Sequence, residues 1–286
     1  MWKILRLAFA VLALATTAQA KPPTWTVRDA DSEMVLFGSV HILPSGLDWK
    51  PDSLTEALSH ANDVWFEIPL DRVSEAETAR LALETGVLPP GQTLSAMMKP
   101  NDRKRLVRVA TAYGASMSML ERLEPWFAEV ALAEAAFRKS GGNAEFGVEQ
   151  LLVGILKPAA TQRAFETPAE QISLFDGVSM SDQIASLNQS VRELEARPLQ
   201  YKSLVDAWMA GDVRAIDREA VQPLKRASPE IYKRFLTDRN SRWLPVLRER
   251  LAGSGRTVVV VGVGHLVGPE GLPARLRALG YSVEGP

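Results

Sequence analysis

Residues 34–43 read Met-Val-Leu-Phe-Gly-Ser-Val-His-Ile-Leu, and residues 258–267 read Val-Val-Val-Val-Gly-Val-Gly-His-Leu-Val. Each stretch is four apolar residues, then Gly-X-X-His, then two more apolar residues. Short apolar runs stopped by glycine are the pattern of strands buried on both faces, as in a parallel sheet. In such sheets ligands bind beyond the carboxyl ends of the strands. A glycine there lets the backbone turn sharply, and a histidine three residues later projects over the sheet edge. The chain has only three histidines, and two of them fall at the same place in this pattern. If the two strands are neighbours, His41 and His265 converge on one site. His60 lies late in a predicted helix and reads as a helix-end or surface residue.

The flanking segments extend each strand into a β/α unit. Ser53 with Glu56 resembles a capping box, and a helix is expected to run on to about Ala61. Val64-Trp65-Phe66-Glu67-Ile68 reads as a second strand closed by Pro69, completing a parallel βαβ unit with β-strands adjacent in sequence. At the other end, a helix from near Gly271 to Leu279 stops at Gly280, and Tyr281 to Glu284 returns as a short strand. Gln162 to Phe165 is a further strand. Thr167, Pro168 and Glu170 then form an N-cap, a first-turn proline and a capping box.

Between these pieces, apolar and charged residues alternate with helical spacing over 75–84, 102–113, 125–138, 147–156, 181–195, 199–208 and 228–250, the last with a break expected at Pro245. Pro89-Pro90-Gly91 and Gly141-Gly142-Asn143 mark loops. The expected fold class is α/β: a small, mostly parallel sheet from N- and C-terminal βα units with a large helical insertion. One domain is expected over 21–286, its sheet core from about 24–70, 160–167 and 256–286, its helical part about 71–158 and 168–250.

The first twenty residues stand apart. Lys3 and Arg6 form a basic start, Leu7 to Ala15 an uncharged apolar stretch, and Ala18-Gln19-Ala20 a small-residue end. This is the pattern of a secretory signal peptide cleaved after Ala20, too short for a membrane span, so no stable membrane anchor is expected after cleavage. The expected location is periplasmic or secreted. The whole chain of 286 residues has a formal net charge of -1 and no cysteine, and removal of the leader takes away two positive charges. Nothing in that balance favours nucleic acid. The absence of thiols excludes thiolate zinc sites, cysteine nucleophiles and disulfide frameworks.

Two carboxylates join the histidines. Glu67 sits at the end of an apolar strand, where a charge needs a partner, and being on the strand next in sequence it is expected beside His41; Glu166 closes the 162–165 strand just before a helix. Imidazole with carboxylate suits a divalent transition metal such as Mn, Co, Fe or Zn, with an open position for water, and hence metal-assisted hydrolysis. Without metal, the same four residues suit acid/base ester hydrolysis. HExxH, G-x-S-x-G, Walker A and GxGxxG patterns are absent. Arg239-Asn240 on the helix before the valine strand suits a substrate carboxylate or an oxyanion, or a surface ion pair.

At Gly38-Ser39-Val40-His41, Glu67, Leu123-Glu-Pro-Trp126, Gly147-Val-Glu149, Phe165-Glu-Thr167 with Gln171, Arg239-Asn240 with Trp243, and Gly262-Val-Gly-His265-Leu, the chain resembles the TraB/GumN family, which is similar to the Tiki metalloproteases and the erythromycin esterases. The third motif departs mildly, with Phe165-Glu166 where Leu-Glu is more usual. The resemblance implies an α/β core with a helical insertion and, by analogy with Tiki, a metal-dependent peptidase using Mn, Co or Zn. It puts His41, Glu67, Glu166 and His265 at catalytic or metal-binding positions; Arg239 and Asn240, from their place on the helix, are expected to bind substrate. The expected substrate is a peptide or a small-molecule ester. A metal-independent esterase and a non-enzymatic binding or regulatory protein of the periplasm are the alternatives.

Overall fold

The computed structural model describes residues 21–157 and 159–286. The leader expected over residues 1–20 lies outside them. Eight strands are present: β1 (Thr24–Arg28), β2 (Ser32–Ser39), β3 (Leu43–Pro44), β4 (Asp63–Phe66), β5 (Gly142–Asn143), β6 (Thr161–Ala164), β7 (Gly255–Gly262) and β8 (Ser282–Glu284). Six make one sheet in the order β6-β4-β7-β2-β1-β8, while β3 and β5 pair separately. β6, β4, β7 and β2 run parallel; β1 and β8 are added antiparallel at one edge. The expected α/β class with a helical insertion is what the molecule has.

The two glycine-histidine strands are direct neighbours. β2 and β7 pair along their whole length, with Gly38 opposite Val261 and Ser39 opposite Gly262. Their apolar runs follow from that central position: Met34 to Phe37 and Val258 to Val261 are all buried, because helices and loops cover both faces. One expectation needs correction. β4 follows β2 in sequence, yet β7 lies between them. Glu67 therefore flanks the second glycine-histidine loop rather than the first. Proximity along the chain favours pairing but does not oblige it when a longer, more apolar strand can take the centre.

Three local expectations also change. The helix Asp52–His60 has Pro51 at its cap position and no side-chain cap, so Ser53 and Glu56 form no capping box; proline already fixes the entry geometry. The segment read as one helix over 228–250 is helical throughout, with a wider π-type stretch at Lys233–Thr237 between Pro229–Tyr232 and Asp238–Leu251. The last helix passes through Pro245 unbroken. Residues 24–28, where no strand was foreseen, form β1, burying Trp25 and Val27 on one face. The capping box at Thr167 and Glu170 is present in full.

The insertion has its own core. Leu94, Leu106, Leu120, Leu132, Leu187 and Val191 pack together, apart from the main core on the sheet. Each such leucine contributes roughly 2 kcal/mol of burial. The insertion is tied to the loop after β2 at several points. β3 pairs with β5, Val148 N–H donates to Val40 C=O at 3.2 Å, and the Tyr201 hydroxyl donates to Ile42 C=O at 3.0 Å. Trp208 Nε1 donates to Gly38 C=O at 2.8 Å. These bonds fix the segment that carries His41.

Candidate active site

The site is assembled at the carboxyl ends of β6, β4, β7 and β2. The β4–β6 ladder continues one step past both strands, where Glu166 N–H donates to Glu67 C=O at 2.9 Å. That bond sets the two acidic residues side by side. The helix Asp238–Leu251 lies over them and delivers Arg239, Asn240 and Trp243, all buried. An aromatic row, Trp65 to Phe165 to Trp243 to the His265 ring, runs beneath with centroid spacings of 5.0, 4.9 and 4.5 Å.

Arg239 is the hub. Its Nε donates to Glu166 Oε1 and its Nη2 to Glu166 Oε2, each at 2.8 Å. Nη2 also donates to Glu67 Oε2 at 2.5 Å, and Nη1 lies 3.0 Å from His265 Nε2. A planar fork of five donors is the one side chain able to serve three acceptors at once. Glu166 further accepts from Trp243 Nε1 at 3.2 Å. Arg239 and Asn240, expected to face substrate, are only 5 % and 2 % exposed and direct their polar atoms to the site's own residues.

The protonation of His265 can be deduced. Asn240 Nδ2 donates to two carbonyls, of His265 and Glu270, which leaves Asn240 Oδ1 as the acceptor facing His265 Nδ1 at 2.7 Å. Nδ1 therefore carries the hydrogen, and Nε2 offers its lone pair to Arg239. Burial pushes the imidazole pKa down, to about 3, and the Arg239 charge adds to this against the pull of Glu67. The ring is neutral.

His41 has the opposite character. Its side chain is 64 % exposed, and Nδ1 contacts Glu149 Oε1 at 2.9 Å, although the approach is too bent for a good hydrogen bond. Glu149 raises the His41 pKa to about 9, against desolvation. Water at the open face screens part of that attraction. Burial raises the Glu67 pKa, but the charges of Arg239 and His41 and the Gly262 N–H outweigh it and hold the carboxyl below its usual range.

Glycine 262 explains how these groups meet. A Cβ built there would lie 3.1 Å from Glu67 Oε1, 3.7 Å from His41 Nε2 and 3.9 Å from His265 Cδ2. The three side chains surround the space that any other residue would fill. The Gly262 N–H donates to Glu67 Oε1 at 2.6 Å, binding the cradle to its acid. A second close approach occurs at Gly147, where a Cβ would come 2.1 Å from the His41 carbonyl oxygen. That glycine lets the helix Val148–Val153 bring Glu149 up to His41.

All four residues expected to carry chemistry are thus brought together, with His41 Nε2, His265 Nε2 and Glu67 Oε1 on the inner side. Glu149 was quoted as part of a family motif but given no role; locally it is one more acid in a helix's first turn. The donor set bears on a metal in two ways. Each imidazole has its Nδ1 against a fixed acceptor, Glu149 or Asn240, and its Nε2 turned inward, the arrangement that orients metal-ligating histidines. Yet no three candidate ligands among the described residues are gathered round one point, because Arg239 is bonded to Glu67, Glu166 and His265. Glu166, with both oxygens on Arg239, is the holder of that arginine. As the side chains stand, the Arg239 guanidinium occupies the side of Glu67 and His265 that an ion would take.

Comparison with known proteins gives the family. The pattern of the TraB/PrgY/gumN family matches residues 23–285. Two relatives of Escherichia coli (strain K12) and Shigella flexneri, both called uncharacterized protein YbaP, are each 22 % identical, over 95 % and 85 % of this chain and 99 % and 87 % of their own. An uncharacterized protein of Treponema pallidum is also 22 % identical, over 86 % of this chain and 77 % of its own. No solved structure matches.

Proposed function

The chain belongs to the TraB/PrgY/gumN family, and from that premise and the geometry of the site we propose that it is an exported metal-dependent hydrolase acting on peptide bonds. The supporting observation is the pair of imidazoles from the ends of neighbouring strands, which meet Glu67 around the Gly262 cradle. His41, His265 and Glu67 would hold the ion. A bound Mn, Co or Zn supplies water activation and polarises the scissile carbonyl. Glu149 and Asn240 orient the two rings. Arg239, fixed by Glu166, places a desolvated positive charge beside the reacting centre, where it stabilises a developing oxyanion.

One observation favours a second reading. Arg239 already occupies the cation's side of Glu67 and His265, and Glu149 favours a protonated His41. In a metal-independent esterase, His41 would protonate the leaving group and Glu67 would orient water.

The test is elemental analysis of protein purified without chelators, with turnover of peptide and ester libraries measured before and after chelation. The metallopeptidase reading expects bound transition metal, its loss in the His41→Ala/His265→Ala double variant, and chelator-sensitive peptide cleavage. Chelator-insensitive ester cleavage that vanishes in Glu67→Gln replaces it with the second reading. Absence of turnover on either library rejects both.

A further inference from the structure

A cavity of about 570 Å³ lies within the helical insertion, away from the strand ends. Its walls come from the helices Pro125–Lys139, Met180–Ala196, Gln200–Met209 and Gln222–Ala227. Most of the lining is apolar, with Phe137, Tyr201, Leu204, Leu224 and Ile231 prominent. This is the size and character of a small-molecule site.

One polar group stands out. Glu129 lines the cavity, and its Oε1 accepts from Ser186 at 3.1 Å and from Ser190 at 2.5 Å. Among the described residues no lysine, arginine or histidine pairs with it, and the charge that acts on it, weakly, is another acid, Glu193. Burial holds its pKa above the usual carboxylate range. The cavity's two arginines are engaged elsewhere: Arg197 with Glu219, and Arg192 with Gln189 at 2.9 Å. Asp182 and Glu193 add to the acidic side. A partly buried carboxyl with two serine donors and no cation of the chain beside it offers a bound ammonium its missing partner.

We propose that this cavity binds a small organic cation, its aryl or alkyl body between the helices and its ammonium on Glu129. The site is separate from the hydrolase site and does not depend on that assignment. One bond links the two: Tyr201, its ring tilted against Phe137 with centroids 4.8 Å apart in the wall, donates its hydroxyl to the carbonyl of Ile42, next to His41.

Calorimetric titration of the full protein near neutral pH with 4-phenylbutylamine, 4-phenylbutan-1-ol and 4-phenylbutyrate tests it. The amine is expected to bind about tenfold more tightly than the alcohol, and the carboxylate least. Glu129→Gln keeps an acceptor for both serines, so it should fold, retain alcohol binding and lose the preference for the amine. Ala133→Trp, which fills the cavity, should abolish binding of all three. The proposal fails if no compound binds at millimolar concentration, if the wild type prefers the alcohol or the acid, or if Glu129→Gln leaves the amine preference intact. Wild-type affinity in a folded Ala133→Trp variant also overturns it.

Discussion

Arg239 and Glu166 meet as a two-pronged ion pair, Nε to Oε1 and Nη2 to Oε2, each at 2.8 Å, with both side chains buried. Neither residue faces solvent, so the pair serves to hold the guanidinium between Glu67 and His265. Removing one partner leaves a buried charge without full compensation. Glu166→Gln is expected to destabilise the protein by about 3 kcal/mol in denaturant unfolding. Arg239→Lys is expected to be equally harmful, because an ammonium cannot reach three acceptors from one plane. A loss below about 0.5 kcal/mol in both would show that the pair carries little of the stability.

Gly262→Ala tests the cradle. The added methyl carbon sits 3.1 Å from Glu67 Oε1, tighter than ordinary contact, and in the space faced by His41 Nε2. We expect a folded protein whose hydrolytic rate falls about 100-fold or more, as small displacements at a reacting centre do. Unchanged turnover in the alanine variant would place the reacting centre elsewhere.

Glu149 gives a prediction in pH. Its charge raises the His41 pKa from 6.5 to about 9, so between those values the folded protein holds a proton that the unfolded chain releases. The stabilisation from this pair is therefore complete below pH 6.5 and is lost as pH rises through 9. Unfolding of metal-free protein at intervals from pH 6 to 10 should show that decline. Glu149→Gln should flatten it. Glu149→Ala, which removes the acceptor beside the His41 ring, should weaken metal binding by about 10-fold to 100-fold, as loss of a ring-orienting acceptor does.

Thr167 and Glu170 cap the helix that follows Glu166, with Glu170 N–H to Thr167 Oγ1 at 3.2 Å and Thr167 N–H to Glu170 Oε2 at 2.8 Å. Thr167→Ala should lower stability by about 1 kcal/mol without altering substrate affinity. A large change in affinity would mean that the cap also sets the position of Glu166.

Much of the fold could be read locally. The β2 and β7 runs are apolar throughout, so period and length identify them, and the glycines mark where they end. The Thr167 capping box depends on neighbours within four positions, and it forms as read. The β1 strand was missed because Thr24–Arg28 is short and alternating, a pattern shared with exposed loops. Glu149 was legible only as part of a family motif, since what gives it a role is the contact with His41 across more than a hundred residues.

Residue order alone settled the two central strands, the Thr167 cap and the recurrence of Gly-X-X-His, since each follows from side-chain period and backbone freedom over a few positions. It could not settle which strands pair. The insertion of β7 between β2 and β4 is decided by burial of the most apolar strands at the sheet centre, a competition among segments far apart in the chain. That same long-range packing brings Arg239 down onto Glu67, Glu166 and His265, because a buried cation is stable only where several acceptors converge on it.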